Sequence, residues 1–405
     1  MKTVSTLAAL LFTVSCTEPT PAPPPPGAPV HVVLSDAAER TNLFNIAHGA
    51  SVISRTAELT LDHSAILVID GDPATLWTSP EKDQIQTLTF ALPAPAKIVK
   101  LGARLTRLAH IWTPQIRFET SADGRNFSTA AIHTFERKDD DQLFDIPPTV
   151  AQVVRLTTLQ GGTVFSAISS LHARGEFTSR PSLQPLAGCW TVNGLPAAFA
   201  EQDGHVWGTI GTTDPIRIEG GREGLVYRFA WSREPAWGIA MVTISPDGQN
   251  LTGIKWFELA SAHAIGDSWF GDRTPCSAPR VPMPDGVARN WLRQSGRYPL
   301  YAIDEEKSER AVATISAVLR ALRGQRMKLI AREFREATPE LNRKRAGERM
   351  DRLRAILTGS GIDAATIDFE VLGADRPAMN MITESMRVMN SAIEIEIPEP
   401  ARSSF

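Results

Sequence analysis

The sequence predicts a multidomain chain in which an all-β sandwich precedes a small antiparallel β-domain (sheet or barrel) and then an α/β sandwich. Strand-length apolar runs separated by turn signals fill residues 30–177. Six of the nine tryptophans fall in a second β-rich segment at 186–276, and apolar residues at helical spacing begin after residue 297. At 405 residues, the chain is also too long for a single hydrophobic core.

The first 15 residues have the pattern of a secretory signal peptide. One lysine precedes an apolar run that is too short to cross about 30 Å of hydrocarbon. Residues 11–16 (LFTVSC) resemble a bacterial lipobox, with Thr13 where leucine is usual. The resemblance implies that Cys16 is lipidated and becomes the mature N-terminus of an outer-membrane lipoprotein that faces the periplasm or the cell surface. The alternative is a plain secretory signal cleaved near Ser15.

Residues 16–29 form a lipidated-cysteine and proline-rich tether. Seven prolines occur within residues 17–29, and such a segment cannot pack a core. It favours extended polyproline II at about 3.1 Å per residue, which gives a spacer of roughly 40 Å.

The sandwich region, residues 30–177, carries several motifs of one family in the right order. They are Asn45-Ile46-Ala47, residues 69–77 (IDGDPATLW), residues 118–127 (FETSADGRNF) and residues 154–156 (VRL). With these motifs the region resembles the discoidin-like domains, which are coagulation-factor C-type, galactose-binding-like modules. The resemblance implies a jelly-roll sandwich and leaves the ligand open.

The same resemblance suggests two sites in the sandwich. Carbohydrate-binding modules of this kind often hold a structural calcium ion, for which Asp70, Asp72 and Thr75 supply oxygen ligands. The family's additional glutamate is missing from residues 168–171, so the alternative is a tight turn in which the aspartates bind only backbone amides. No other cofactor is predicted.

Ligands of these modules bind at loops on one end of the sandwich. The candidate residues for a sugar-stacking surface here are Arg107, His110 and Trp112. The alternative is that this loop aromatic and its neighbours take part in ordinary packing.

The middle segment, residues 186–276, is predicted to contain one disulfide. If Cys16 carries lipid, Cys189 and Cys276 remain as a pair, and export places them where disulfides form. The alternative is two unrelated buried thiols. The tryptophans of this segment could line a ligand cavity or form core packing.

Residues 277–296 are predicted to be a linker because proline recurs at their start, and residues 297–398 to be the α/β domain. An apolar stripe that includes Ile315, Val318 and Leu322 predicts one helix. Thr338 followed by Pro339 predicts the start of a second helix. Strands are predicted at 327–331, 366–372 and 392–397.

This last domain resembles a degenerate member of the OmpA-like peptidoglycan-binding family. Asn342, Arg349, Leu353 and Leu357 agree with the family's helix signature. In that family an aspartate and an arginine grip the charged ends of diaminopimelate. The resemblance therefore implies wall-peptide contact through Arg349, Asn342 and Glu333. The family's aspartate position falls at Phe334, or at Glu333 if one residue has been lost. The alternative is a domain that keeps the fold and has lost or changed its ligand.

Composition and motifs exclude several classes of function. A net charge of −3 disfavours nucleic-acid binding, and no GxSxG, HExxH or phosphate-loop motif is present. The sequence therefore predicts a noncatalytic cell-envelope lipoprotein, held to the membrane by its N-terminal lipid and contacting peptidoglycan through the OmpA-like domain. The alternative is a glycan-binding receptor or adhesin that acts through the discoidin-like domain.

Overall fold

The structure is a computed structural model, and it describes most of the chain from residue 41 onward. The described residues are 35, 41–80, 85–106, 111–160, 165–257, 267–276, 286–301, 309–377 and 383–405. The predicted signal peptide, Cys16, the proline-rich tether, Arg107 and His110 lie outside these ranges.

The first module is a β-sandwich of eight strands within the described residues. They are β1 (Ser51–Arg55), β2 (Trp77–Thr78), β3 (Thr87–Arg104), β4 (Gln115–Ser121), β5 (Ser128–Thr134), β6 (Asp141–Gln160), β7 (Ala167–Ile168) and β8 (Ser170–Phe177). The main sheet has the order β1-β3-β6-β4-β5, β8 also pairs with β3, and β2 pairs with β7.

The long strands β3 and β6 build both halves of this sandwich, since their pairing breaks between Ala91 and Ala96. Before the break, β3 pairs with β1 and the second half of β6; after it, β3 pairs with β8 and the first half of β6. Buried side chains such as Phe90, Leu101 and Phe118 fill the core. The result is the all-β jelly roll that the sequence predicts.

The second module is a closed antiparallel barrel of eight strands, so the open choice between sheet and barrel is settled. The strands are β9 (Gly188–Val192), β10 (Leu195–Gln202), β11 (His205–Ile210), β12 (Ile216–Glu223), β13 (Val226–Arg233), β14 (Ala236–Ile244), β15 (Asn250–Phe257) and β16 (Asp267–Thr274). Trp190, Trp231 and Trp269 belong to the core cluster of the barrel, while Trp237 and Trp256 belong to the larger cluster formed with the neighbouring modules.

The third module combines a four-stranded sheet with helices. Its elements are α1 (Val287–Ser295), β17 (Arg297–Leu300), α2 (Glu309–Leu322), β18 (Met327–Arg332), α3 (Pro339–Gly359), β19 (Ile367–Gly373), α4 (Glu384–Asn390) and β20 (Ile393–Glu396). The sheet order is β17-β20-β18-β19, with β18 and β19 parallel. Thr338 caps α3 as the sequence predicts, since its side chain accepts a hydrogen bond from the Leu341 amide.

Helix α1 corrects the prediction that residues 277–296 are only a linker. Val287, Trp291 and Leu292 are buried, and the Trp291 indole donates a 3.1 Å hydrogen bond to the carbonyl of Trp231 in the barrel. The helix is therefore stabilised by tertiary contact with another module, which the local composition does not reveal. Strand β17 and helix α4 were also absent from the prediction.

Direct contacts join the three modules into one unit. The Val52 amide donates to the Thr252 hydroxyl, and that hydroxyl donates to the Val52 carbonyl, both at 3.0 Å. The Ser385 hydroxyl of α4 donates to the Asp70 carbonyl of the sandwich at 2.9 Å.

None of the helices in the described residues is long and apolar enough to cross a membrane.

Candidate functional site

The connections that follow β1, β3, β5 and β6 meet at one end of the sandwich, which we call the loop end. Phe144, near the start of β6, packs against His133 and Phe135 at the end of β5, so Arg104 and Asp141 in one layer lie at the same end as Gln115 in the other. In the register, Arg104 lies opposite both Asp141 of β6 and Ser170 of β8. The loop end therefore gathers side chains from three neighbouring strands.

A cavity of about 240 Å³ lies at this end. Its lining residues are Asn42, Val68, Gly71, Pro73, Arg104, Asp141, Ser170 and His172. The Arg104 Nε donates to Asp141 Oδ1 at 2.8 Å, and His172 Nε2 lies 3.2 Å from the same oxygen. The imidazole of His172, and then the Arg104 guanidinium, lower the pKa of Asp141 to about 2 against the effect of burial. This carboxylate therefore stays ionised, and 41% of its side chain is exposed.

The cluster of Arg104, Asp141 and His172 is not among the sites that the sequence predicts. The run Asp139-Asp140-Asp141 on its own suggests a polar, solvated loop, but Asp141 is the first residue of β6. The register that brings Arg104 and His172 to Asp141 joins residues 37 and 31 positions away. Leu143, Phe144 and Ile146, which follow Asp141, are compatible with a strand, but no local signal identifies its partners.

Trp112 is the described member of the predicted sugar-stacking group. It forms an isolated parallel bridge with Ala167, and its half-buried ring packs against the core. The neighbouring Thr113 hydroxyl donates to the Ala167 carbonyl at 3.2 Å and accepts from the Ala167 amide at 3.0 Å. This part of the β3–β4 connection is thus fixed to β7 at the loop end.

The predicted calcium residues form a turn beneath the same end. Asp70 accepts the Asp72 amide at 2.8 Å and the Thr75 hydroxyl at 2.8 Å, and Asp72 accepts the Ala74 amide at 2.9 Å. Asp70 is 6% exposed, and burial raises the pKa of its carboxyl well above the ordinary value. This side chain lacks a cationic partner among the described residues.

The oxygens around Thr75 suit a hard cation. Its hydroxyl lies 2.9 Å from the Asp72 carbonyl and 3.4 Å from the Leu67 carbonyl, beside the Asp70 carboxylate. Calcium would therefore be held by Asp70, Thr75 and main-chain carbonyls, with the Asp72 carboxylate turned to Ala74. Across the described residues, no group of three or more histidine, cysteine, aspartate or glutamate side chains could hold a metal ion.

The predicted wall-peptide residues come together in the third module, but inside the protein. Glu333 is 1% exposed and accepts hydrogen bonds from Arg335 at 2.6 and 2.7 Å and from Arg349 at 3.2 Å. Burial would raise the pKa of Glu333, but the Arg335 guanidinium prevails and lowers it to about 2. Asn342 binds the main chain of Glu336 through both amide atoms.

The barrel closes over this cluster. Arg335 pairs with Glu223 of β12, and Glu223 pairs with Arg228 of β13 at 2.9 Å. Arg228, which is 1% exposed, donates to the carbonyls of Val388 and Ser391 at 2.9 and 2.6 Å. The charges of Glu333 and Arg349 are therefore satisfied by the fold itself.

The predicted pair Cys189 and Cys276 is bridged in the structure, with Cα atoms 5.9 Å apart. Cys189 lies on β9, opposite Thr274 of β16. The disulfide thus ties the first barrel strand to the residues that follow the last, where the barrel closes.

Comparison with known proteins supports the interpretation of the first module. Residues 52–171 match the family model of the F5/8 type C domain. This match agrees with the discoidin-like resemblance of the sequence. No curated protein matches the chain.

The solved structures similar to the chain cover about a third of it. The C-terminal domain of a chitobiase from Bacteroides fragilis is 22% identical, covers 32% of this chain and 96% of its own, and has a TM-score of 0.30. CBM32-3 from a family 31 glycoside hydrolase of Clostridium perfringens is 18% identical and covers 35% and 100%, with a TM-score of 0.32. A further Clostridium perfringens CBM32 module, in complex with GalNAc-β-1,3-galactose, is 21% identical and covers 33% and 99%, with a TM-score of 0.29.

Proposed function

We propose that this chain is a noncatalytic glycan-binding protein of the bacterial envelope, and that the loop end of its F5/8 type C domain contacts the carbohydrate. The observation that carries the proposal is the cavity in which Asp141, held by Arg104 and His172, keeps an ionised and partly exposed carboxylate. A sugar hydroxyl both donates and accepts hydrogen bonds, so neighbouring carboxylate and guanidinium groups complement it.

The location of the cavity supports the same proposal. It lies at the loop end, which is where discoidin-like modules take their ligands, and Trp112 is fixed at that end by β7. The wall-peptide contact that the sequence predicts would use Glu333 and Arg349, whose charged groups are already paired in the protein interior. We therefore assign recognition to the sandwich.

The attachment to the envelope is proposed to be a lipid on Cys16, which makes the chain an outer-membrane lipoprotein. Cys16→Ser should abolish metabolic labelling with palmitate and move the protein from the membrane fraction to the soluble fraction. Unchanged labelling in the variant would exclude this cysteine as the lipid site. Protease treatment of intact cells separates a surface-facing from a periplasmic orientation.

A glycan array tests recognition, using the chain from residue 17 onward so that the signal and Cys16 are removed. We expect a defined set of glycans to bind, and Asp141→Asn to weaken that binding about tenfold or more through loss of a charged hydrogen bond. The matched control is Asp140→Asn, an exposed neighbour in the same acidic run. Absence of any glycan signal, or equal binding by the two variants, would overturn the assignment.

A further inference from the structure

The cavity at the loop end has two walls of different origin. The charged wall consists of side chains on β3, β6 and β8, namely Arg104, Asp141, Ser170 and His172. The second, which we call the loop wall, consists of residues before β1 and between β1 and β2, namely Asn42, Val68, Gly71 and Pro73. Strand pairing fixes the charged wall, whereas residues in connections need other contacts to hold them in place.

Helix α4 of the third module contacts one segment of the loop wall. The Ser385 hydroxyl, which is fully buried, donates its 2.9 Å hydrogen bond to the carbonyl of Asp70. This carbonyl and the amide of Gly71 belong to one planar peptide unit, so the hydrogen bond restricts rotation of the peptide that leads into Gly71. A residue outside the sandwich therefore holds the loop wall at Gly71.

The other segment of the loop wall is joined both to the first segment and to α4. The Ile46 amide donates to the Ile69 carbonyl at 2.8 Å, and α4 lies against the 3₁₀ turn Ile46–His48. Gly71 approaches Asn45 so closely that a side-chain carbon on this glycine would lie 2.7 Å from Asn45 Nδ2. Helix α4 thus supports both segments of the loop wall.

Asn42 connects the loop wall to the charged wall. Its Nδ2 donates to the Leu171 carbonyl at 2.8 Å, and its Oδ1 accepts from the Ala173 amide at 3.0 Å. These two residues flank His172 on β8. His48 Nδ1 lies 3.0 Å from the Asn42 carbonyl, so the 3₁₀ turn beside α4 also holds Asn42. A continuous set of contacts therefore leads from α4 to both walls of the cavity.

We propose that Ser385 is a positioning residue of the glycan site, and that the third module supports the loop wall of the sandwich. This inference rests on the proposed glycan recognition and gives the third module a part in it. Ser385 touches no sugar; it fixes Gly71 before the ligand arrives. A preformed wall binds more tightly because less ordering is needed on binding. Helix α4 lies outside residues 52–171, so this support is separate from the part of the chain that matches the F5/8 type C family model.

Glycan binding by the chain from residue 17 onward tests the proposal, with the glycan that gives the wild type its strongest array signal. Ser385→Ala removes one hydrogen bond behind the loop wall, so the affinity should fall about three- to tenfold. The matched control is Thr252→Val, because the Thr252 hydroxyl also joins the sandwich to another module, through the main chain of Val52 near the start of β1. This control should bind with wild-type affinity even where it lowers the melting midpoint.

Hydrogen exchange of the free protein measures the positioning without any ligand. Peptides that contain residues 69–75 should exchange faster in Ser385→Ala than in the wild type and should be unchanged in Thr252→Val. A wild type that binds no glycan would overturn the proposed function, and this assignment with it. If the wild type binds, the assignment of Ser385 alone is overturned when the two variants bind alike, or when exchange at residues 69–75 is the same in Ser385→Ala as in the wild type.

Discussion

Replacement of Glu333 by glutamine should destabilise the protein strongly, although the side chain hardly changes in shape. The substitution keeps the volume of the side chain and removes its charge, which two guanidinium groups contact. Arg349 would remain 5% exposed without its carboxylate partner. Removing one partner of a buried ion pair typically costs about 3–5 kcal/mol.

The lowered pKa of Glu333 gives a second estimate of the loss in folding free energy. A fall of the Glu333 pKa from 4.5 to about 2 corresponds to about 3 kcal/mol of folding free energy. Because the folded state holds the proton less tightly than the unfolded state, this contribution is fully present above pH 4.5. It declines as the pH falls and is lost near pH 2. The two routes agree on about 3 kcal/mol at neutral pH.

Urea titrations of wild type and Glu333→Gln at a series of pH values measure this difference. The gap in unfolding free energy should be about 3 kcal/mol at pH 7 and should shrink between pH 4.5 and 2. Glu336→Gln is the matched control, since Glu336 is a surface residue paired with Arg345 at 3.2 Å. It should cost less than about 1 kcal/mol at any pH. A gap at pH 7 no larger than that of the control, or one that does not change with pH, would refute the reasoning.

Two further predictions concern the sandwich turn and the barrel. Calcium should raise the melting midpoint of the protein. Asp70→Ala should abolish this increase, whereas Asp72→Asn should retain it. A melting midpoint that chelator leaves unchanged would rule out a structural ion. Replacing both Cys189 and Cys276 by alanine should lower the unfolding free energy by about 4–5 kcal/mol, because the bridge spans 87 positions. Denaturation with and without reductant measures the contribution of the disulfide to the unfolding free energy. A loss below about 1 kcal/mol would contradict this prediction.

Features that depend on neighbouring residues were predictable from the sequence. Thr338 with Pro339 marks the start of α3, and the stripe of Ile315, Val318 and Leu322 forms the buried face of α2. A turn also forms at residues 121–124, where Asp123-Gly124 is a local turn signal and Gly124 has φ +71°. In each case the signal and the structure lie within one or two turns of chain.

Features that depend on distant parts of the chain were not predictable. Helix α1 is held by its contact with the barrel through Trp291. The prolines just before the helix are a local signal, and they predict a linker instead. Arg104, Asp141 and His172 meet only through the register of β3, β6 and β8. For Glu333, the sequence identified the residue and its partner Arg349, but burial beneath the barrel required the packing of two modules.

The contrast between Glu333 and Asp141 shows why residue type alone cannot separate a structural pair from a binding group. Both carboxylates contact arginine, and the pKa of each is lowered to about 2. The Glu333 side chain is 2% exposed and its oxygens are occupied by arginine and main-chain donors, so a ligand would have to displace them. The Asp141 side chain is 41% exposed beside a cavity, so the same charge can accept a hydrogen bond from solvent or from a sugar. Exposure therefore favours Asp141 over Glu333 as the binding group, in keeping with the recognition that we propose at the loop end of the sandwich.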